Sequence, residues 1–527
     1  MSERTGEAKV GRRGFLALAG AGAAGAAGLA AAPPASAAAP PSPAPRTVYT
    51  LPTLEFSDER TQHLVGARYE DALTDVVGIN TAYADPPTYD KAGLLSYPPG
   101  TFVRAGGGYP APQRWTRDAA VNAWNAVSLL GPPVGRNTLL SVVDEGPIVQ
   151  QDNQWWDQIV WVLGAWHHYT VTGDADFLAT AYEIGVATLA QRKAKSFDST
   201  RGLFKGPSFM NDGIAGYPAP PWEPGIHSSF VLDYPQSAEL LCLSTNCLYH
   251  GAFLALVNMA RALHKDGRAH EAEAAKLRTA INSQFWRADA GTYGYFIHGT
   301  GPLAGQLDAS QEGAGLAFAI LLGVADDNRV ASVLRNTHWE PHGIVNSYPH
   351  FARFSDEKPG RHNVVVWPMV HSFFGHATAH ARRPDLFGRA VTELASLVTA
   401  TKGNFYEIYD SKTGAVQGGW QTGGSGALEQ FTSQPDQAWS ATGYLRMLYS
   451  GLFGLTFTPD GLQFAPCLPD GWGTATLRGL SYRHTTLDLT LRGSGTRVTA
   501  CTVDGHPAAP KVPAGLSGHH EVRLALG

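Results

Sequence analysis

A chain of 527 residues can bury a large core, and one long domain with an accessory domain is the default expectation. Its formal charge of −5 is small for that length and forms no basic stripe, which excludes nucleic acid as an expected partner. The 13 Trp, 19 Tyr and 22 Phe suit either a core or a carbohydrate cleft, where a sugar's C–H face packs on an aromatic ring.

In chain order, Arg12-Arg13-Gly14-Phe15-Leu16, an Ala/Gly/Leu run to Ala32 and Ala35-Ser36-Ala37 read as a twin-arginine signal peptide over 1–37. The run is too weakly apolar for a good spanning helix, so export with cleavage and no stable membrane insertion is expected. Residues 38–112 read as a linker and lead-in: an Ala/Pro/Ser leader over 38–47, then loops with short strands. From 113 to 452 the pattern changes to apolar residues at 3.6 spacing, predicting helices over 117–130, 155–172, 175–193, 245–265, 268–285, 311–322, 327–336, 364–382, 384–400 and 434–451. The Pro/Gly-rich linkers leave room for one or two more. Short breaks such as Gly173-Asp174 and Asp266-Gly267 predict antiparallel hairpins. Long loops over 194–235, 287–310, 338–363 and 402–433 separate the pairs, and loops of that length are usually functional in a compact domain. The tail, 453–527, turns to period two, as in Leu487-Asp488-Leu489-Thr490-Leu491, and reads as a small β-sandwich. The expected fold is mainly α: an (α/α)6 toroid with a C-terminal β-sandwich. Cys242 and Cys247 suit neither a disulfide nor a zinc site, while the strand-like positions of Cys467 and Cys501 leave their pairing open.

Hydrolysis of a glycosidic bond needs two carboxyl groups flanking it, about 6.5–9.5 Å apart where the reaction inverts configuration. Asp212 lies in a largely apolar loop, 206–217, whose nearest basic residue is Lys205. Burial away from that lysine would raise its pKa, as a general acid requires. Glu407, in Asn404-Phe405-Tyr406-Glu407-Ile408-Tyr409-Asp410, is the expected base, with Glu429 and Asp410 as competitors. Trp115-Thr116-Arg117-Asp118 and Trp155-Trp156-Asp157-Gln158 each open a helix with an aromatic and a charge that can bind hydroxyls, although first-turn aspartates also suit a helix dipole. The stretch around Trp367 reads as cleft wall. Histidines such as His371, His376 and His380 read as core or surface residues. His376 and His380 share a helix face, but Ala377 stands where a metalloprotease motif has Glu, so neither a metal nor a cofactor is expected.

These residues resemble the (α/α)6 glycoside hydrolases related to trehalases, glucoamylases and the family 63 α-glucosidases and mannosylglycerate hydrolases. Trp115-Thr116-Arg117-Asp118 is similar to the sugar-gripping segment of glucoamylase-like enzymes, and Trp156-Asp157 to the Trp-Asp of trehalase-like ones. Phe405-Tyr406-Glu407-Ile408-Tyr409-Asp410 with Thr413-Gly414 resembles their base segment. Gln437-Ala438-Trp439-Ser440-Ala441 resembles the final-hairpin sequence that follows, and Leu462-Gln463-Phe464-Ala465-Pro466 the start of the β-module. The resemblance runs over 112–500 and implies Asp212 as acid and Glu407 as base. Gly146-Pro147-Ile148-Val149-Gln150 replaces the trehalase run before Trp156, which argues against trehalose itself.

The expected function is exo-acting, inverting hydrolysis of an α-linked oligosaccharide or small glycoside. Trp115, Arg117, Asp118, Trp156, Asp157, Asn211, Trp367, Tyr409 and Trp439 would bind the carbohydrate. The rivals are a polysaccharide lyase or unsaturated-uronyl hydrolase on the same toroid, and a non-catalytic carbohydrate-binding protein.

Overall fold

Apolar residues at helical spacing build the middle of the chain. The structure, a computed structural model, describes residues 49–83, 90–95, 101–109, 112–150, 157–218 and 225–527. Residues 1–37, expected as a signal peptide, the expected 38–47 leader and Trp155-Trp156 lie outside the described residues. The helices are α1 (59–79), α2 (116–130), α3 (Pro132–Leu140), α4 (Asp157–Thr172), α5 (Ala175–Ser196), α6 (Leu243–Ala262), α7 (Arg268–Gln284), α8 (Gly313–Leu321), α9 (Asp327–Asn336), α10 (Pro368–His380), α11 (Pro384–Ala400) and α12 (438–452). Their ends follow local chemistry. Asp174 and Asp326 cap α5 and α9 by accepting from Phe177 N and Arg329 N, each at 2.9 Å. Proline occupies the first turn of α3, α10 and α11, where a missing N–H costs nothing.

Packing sorts these helices into two kinds. α2 packs on α4, α4 on α6, α6 on α8, α8 on α10, α10 on α12, and α12 back on α2. Against this closed series lie α3 and α5 beside α4, α7 beside α6, α11 beside α10, and α1 beside α12. Composition accounts for the division. In α8 every residue but Leu321 is buried, whereas α7 buries only Ala274, Leu277 and Ile281 and presents the rest to solvent.

Two helices lie outside the ten expected: α1, where the lead-in reads as loops with short strands, and α3, in a Pro/Gly-rich linker that left room for one. In α1, Gly66 and Gly78 look like breakers, yet Asp58 caps its start by accepting from Thr61 N at 2.8 Å, and Tyr69, Ala72, Val76 and Val77 face the core. At Gly66 a Cβ would stand 2.6 Å from Nε2 of Gln62, whose Oε1 accepts from Phe56 N. In α3, Pro132-Pro133 starts a helix rather than preventing one.

The lead-in also contributes to the far end of the chain. Thr53–Phe56 is the edge strand of a six-stranded sheet, pairing antiparallel with Ala475–Tyr482. The sheet continues through Thr485–Arg492, Gly518–Leu526, Val498–Val503 and His506–Pro507. A second sheet joins Leu455–Thr458, Gly461–Phe464 and Lys511–Pro513, and both share one apolar core with α1, α11 and α12. All four cysteines are free and buried, so Cys467 and Cys501 are not bridged. The helix histidines are tied into the core: His371 accepts from Ile344 N and donates to Ala390 O, and His376 Nδ1 accepts from Arg446 Nε at 3.0 Å. No helix of the described residues is long and apolar enough to cross a membrane.

Phe56 meets Trp472 edge-on at 5.8 Å between ring centroids and is nearly buried. Phe56→Ala should therefore cost about 3 kcal/mol of stability, the lower part of the range for buried aromatics. Urea unfolding followed by circular dichroism reads the loss, and a midpoint equal to wild type would mean that the first strand does not support the sheet.

Candidate active site

Three elements that begin or follow the helices of the closed series bring carboxyl groups together. The first turn of α2 supplies Arg117 and Asp118, and that of α4 supplies Asp157. The loop before α6 supplies Asp212. Arg117 joins them: its guanidinium donates to Phe209 O at 2.9 Å and to Asp212 Oδ2 at 3.1 Å. Burial works against its charge, and Asp157, Asp212 and Asp118 outweigh that and push its pKa up. Asp118 and Asp157 are thus more than first-turn dipole partners, because both act on one arginine.

The other carboxylate of the expected pair comes from the segment after α11. Glu407 is only 4 % exposed, accepts from Arg361 NH2 at 2.8 Å, and lies 3.4 Å from the Tyr109 hydroxyl that donates to it. The next residue after Arg361 is His362, whose Nε2 lies 2.9 Å from Asp212 Oδ1. Consecutive residues of one loop therefore hold the two carboxylates named from sequence. Trp367 braces that loop: its Nε1 donates to Arg361 O at 2.8 Å and its ring stacks on His362 at 4.9 Å. Trp439 stands edge-on to Trp367 at 6.0 Å, with the Arg117 guanidinium 5.3 Å above its ring. Trp115 precedes α2 and packs edge-on against Tyr109 at 5.0 Å. Gly213 permits the close approach, since a Cβ there would lie 2.4 Å from His362 Nδ1 and 2.3 Å from Gln421 Oε1.

The competitors of Glu407 are placed elsewhere. Asp410 caps a turn by accepting from the backbone N–H groups of Lys412 and Thr413, and Glu429 is exposed on the Leu428–Gln430 strand. Two residues expected to touch sugar are buried and bonded within the protein. Tyr409 lies in the core, its hydroxyl accepting from Tyr406 N and donating to Asn404 O. The fully buried Asn211 amide is used up on Tyr295, Ser347 and Asn346, so it shapes the loop instead. Trp156 lies outside the described residues. Arg361, His362 and Tyr109 were not legible as site residues, although the length of the 338–363 loop marked the first two's neighbourhood.

The electrostatic expectation for Asp212 is reversed. Burial does raise its carboxyl, but Arg117 and then His362 overcome this and hold it well below the usual carboxylate range. Lys205 is the nearest basic residue only along the chain; Arg117 reaches Asp212 from 95 positions away. Burial pulls the His362 imidazole below its ordinary value, against the pull of Asp212.

A family model described as a mannosylglycerate hydrolase MGH1-like glycoside hydrolase domain matches residues 112–440, and one for a glycosyl hydrolase family 65 C-terminal domain matches 455–509. No curated protein matches the chain. Among solved structures, a sialidase is similar over 85 % of this chain and 40 % of its own, at 14 % identity and a TM-score of 0.62. A family 78 rhamnosidase of Bacillus sp. GL1 is similar over 91 % and 44 %, at 16 % identity and 0.54. The family 63 mannosylglycerate hydrolase of Thermus thermophilus, solved with glucose, is similar over 72 % and 99 %, at 17 % identity and 0.51. The chain thus spans about two fifths of the sialidase and the rhamnosidase, and at these identities the likeness is one of fold.

Arg117→Met should let burial act on Asp212 with only His362 opposing it. In the wild type the depressed Asp212 adds stability above about pH 4, its unfolded value, and that contribution is lost as pH falls through the folded value. In the variant Asp212, Asp118 and Asp157 lose a cation, so the stability gap to wild type should widen from pH 3 to pH 7. Urea midpoints across that range measure it, and a gap independent of pH would disprove the assignment.

Proposed function

Because the chain belongs to the mannosylglycerate hydrolase MGH1-like glycoside hydrolase family, we propose that it is an exo-acting, inverting glycoside hydrolase of an α-linked oligosaccharide or small glycoside. The observation that carries this reading is the pair Arg361-His362, which sets Glu407 and Asp212 on neighbouring side chains of one loop. Supporting it, Arg117, Asp118 and Asp157 gather charge beside Asp212, and the buried Trp439 and Trp367 pack against Arg117 and His362. The scaffold of this reading is an (α/α)6 toroid over 113–452 with a β-sandwich over 453–527, which the closed order of helix packing and the two C-terminal sheets support. The Arg12-Arg13 segment supports export by the twin-arginine route.

In this mechanism Glu407 activates the water and Asp212 protonates the leaving oxygen. Asp212 starts ionised beside Arg117. A sugar that draws the guanidinium onto its hydroxyls, or toward Asp118 and Asp157, leaves burial as the dominant influence on Asp212, and the carboxyl then takes up the proton it delivers. One observation favours a second reading with the roles exchanged: Asp212 is the carboxylate held ionised at rest, as a base must be.

A panel of α-glycosides followed by NMR tests the reaction, and release of the β-anomer first is expected; first release of the α-anomer would overturn inversion. Glu407→Gln should lower turnover on the order of 10²-fold or more while leaving the fold intact. A glycosyl fluoride needs no protonation of its leaving group, so Asp212→Asn should keep activity on it where Glu407→Gln does not. The opposite pattern exchanges the roles.

A further inference from the structure

One buried carboxyl that this mechanism does not use, Glu312, is bonded to the loop that carries Asp212. Glu312, the residue before α8, is 1 % exposed, and among the described residues no Lys, Arg or His pairs with it. Its Oε1 accepts from Ser208 Oγ at 2.5 Å, and its Oε2 accepts from Ser244 N at 3.0 Å. Gly315 makes room for it, since a Cβ there would stand 2.4 Å from Glu312 Oε2. The contacts continue toward the site. Ser244 Oγ lies 3.4 Å from Ser208 Oγ and accepts from Phe209 N at 3.0 Å, while Phe209 O accepts from Arg117, which in turn donates to Asp212. A buried carboxyl is costly, and a glutamine of the same shape would avoid the charge. What glutamine lacks is acceptors on both arms: its NH2 would face a donor that Glu312 receives.

We propose that Glu312 is a positioning residue for Asp212: through Ser208 and Ser244 it fixes the Phe209 peptide, whose carbonyl aims Arg117 at the Asp212 carboxylate. This rests on the reading of Asp212 as a catalytic carboxyl. Burial pushes Glu312 up to about 7, against the hydrogen bonds from Ser208 and Ser244. The titratable groups facing it are Tyr295, Cys242 and Cys247, all raised well above their ordinary values by burial and therefore neutral here. Above about 7 the Glu312 anion accepts from both the Ser208 hydroxyl and Ser244 N. Below that it is protonated, its own O–H turns on Ser208 Oγ, and the donor order of the two serines reverses. Because the folded value lies above the unfolded one, the ionised form costs stability, and this cost grows as pH rises through about 7.

The test uses the full chain and variants Glu312→Gln and Ser208→Ala, the latter keeping the carboxyl with one donor fewer. Imidazole ¹⁵N signals of His362, the other partner of Asp212, should move with pH around 7 in wild type. Glu312→Gln should shift them and abolish that movement, and Ser208→Ala should do so to a smaller extent. His519, exposed on the C-terminal sheet, is the internal control. On the glycoside that the panel identifies, Glu312→Gln should lower kcat about 10-fold or more with KM nearly unchanged, as misaimed catalytic groups do, and should remove the limb of the pH profile near 7. His362 signals identical to wild type in both variants, or equal losses in kcat and 1/KM with an unchanged pH profile, would overturn the proposal. Should the wild type cleave no glycoside, the hydrolase reading fails while the His362 signals still decide whether Glu312 positions Asp212. If Glu312→Gln does not fold, Ser208→Ala carries the test alone.

Discussion

Residues 320 positions apart meet where α12 packs on α2: Thr442 Oγ1 donates to Asn122 Oδ1 at 2.8 Å, and Asn125 Nδ2 donates to Thr442 Oγ1 at 3.2 Å. One turn further on, Arg446 reaches Asn125 and His376 while lying between Trp124 and Phe373, at 4.3 and 4.7 Å. At the other end of α12, Ala438 N donates to Ala105 O at 2.9 Å. Near this closure Tyr109, from before the helical region, meets Glu407 near its end, and Arg117 lies over the Trp439 ring of α12. The two carboxylates themselves are joined through Arg361 and His362, and the closure adds the residues from the start of the chain, Tyr109 on Glu407 and Arg117 on Asp212. The contact combines polar side chains with an arginine whose pKa burial pulls down to about 9. Buried groups of this kind fix one register, since any slip leaves them without partners.

Charge distribution follows from that closure. One arginine stands among three carboxylates from three elements, and a second arginine sits on the fourth carboxylate. In a partly desolvated site each pairing is stronger than it would be in water, so a single contact decides which protonation state a carboxyl starts in. Asp212 illustrates this: its loop is apolar, as the sequence implies, but one guanidinium reverses the consequence. The aromatic side chains contribute by position. Trp367 holds the Arg361-His362 loop by a hydrogen bond and a stacked ring, and Trp439 lies under Arg117.

Much of the helical framework was legible because its signal is local. Ten helices expected from periodicity are present, with ends that move by a few residues where a cap or a proline intervenes: the segment expected from 364 starts at Pro368, since Val365–Val366 pairs as a strand with Tyr409–Asp410. α1 was missed because Gly66 and Gly78 look in sequence like turns, while the buried Tyr69, Ala72, Val76 and Val77 that hold it as a helix are a tertiary matter. Candidate residues divided on the same line. Arg117, Asp118, Asp157, Asp212, Glu407, Trp367 and Trp439 share one region, being charged or aromatic residues at helix starts or in long loops. Tyr409 and Asn211 lie close in sequence to catalytic candidates, yet both are fully buried, the Tyr409 hydroxyl on Tyr406 N and Asn404 O and the Asn211 amide on Tyr295, Ser347 and Asn346.

By itself the amino-acid sequence determined ten of the twelve helices among the described residues, the change to period two after residue 453 and the carboxylates worth considering, because periodicity and residue chemistry act over a few neighbouring positions. The tertiary structure alone decided that Arg361 and His362 are the partners of Glu407 and Asp212, that Thr53–Phe56 belongs to the C-terminal sheet, and that Asp212 is held ionised at rest. The reason is that a pKa depends on distances through space, and which arginine comes within 3.1 Å of a carboxylate is fixed only when helices far apart in the chain pack together.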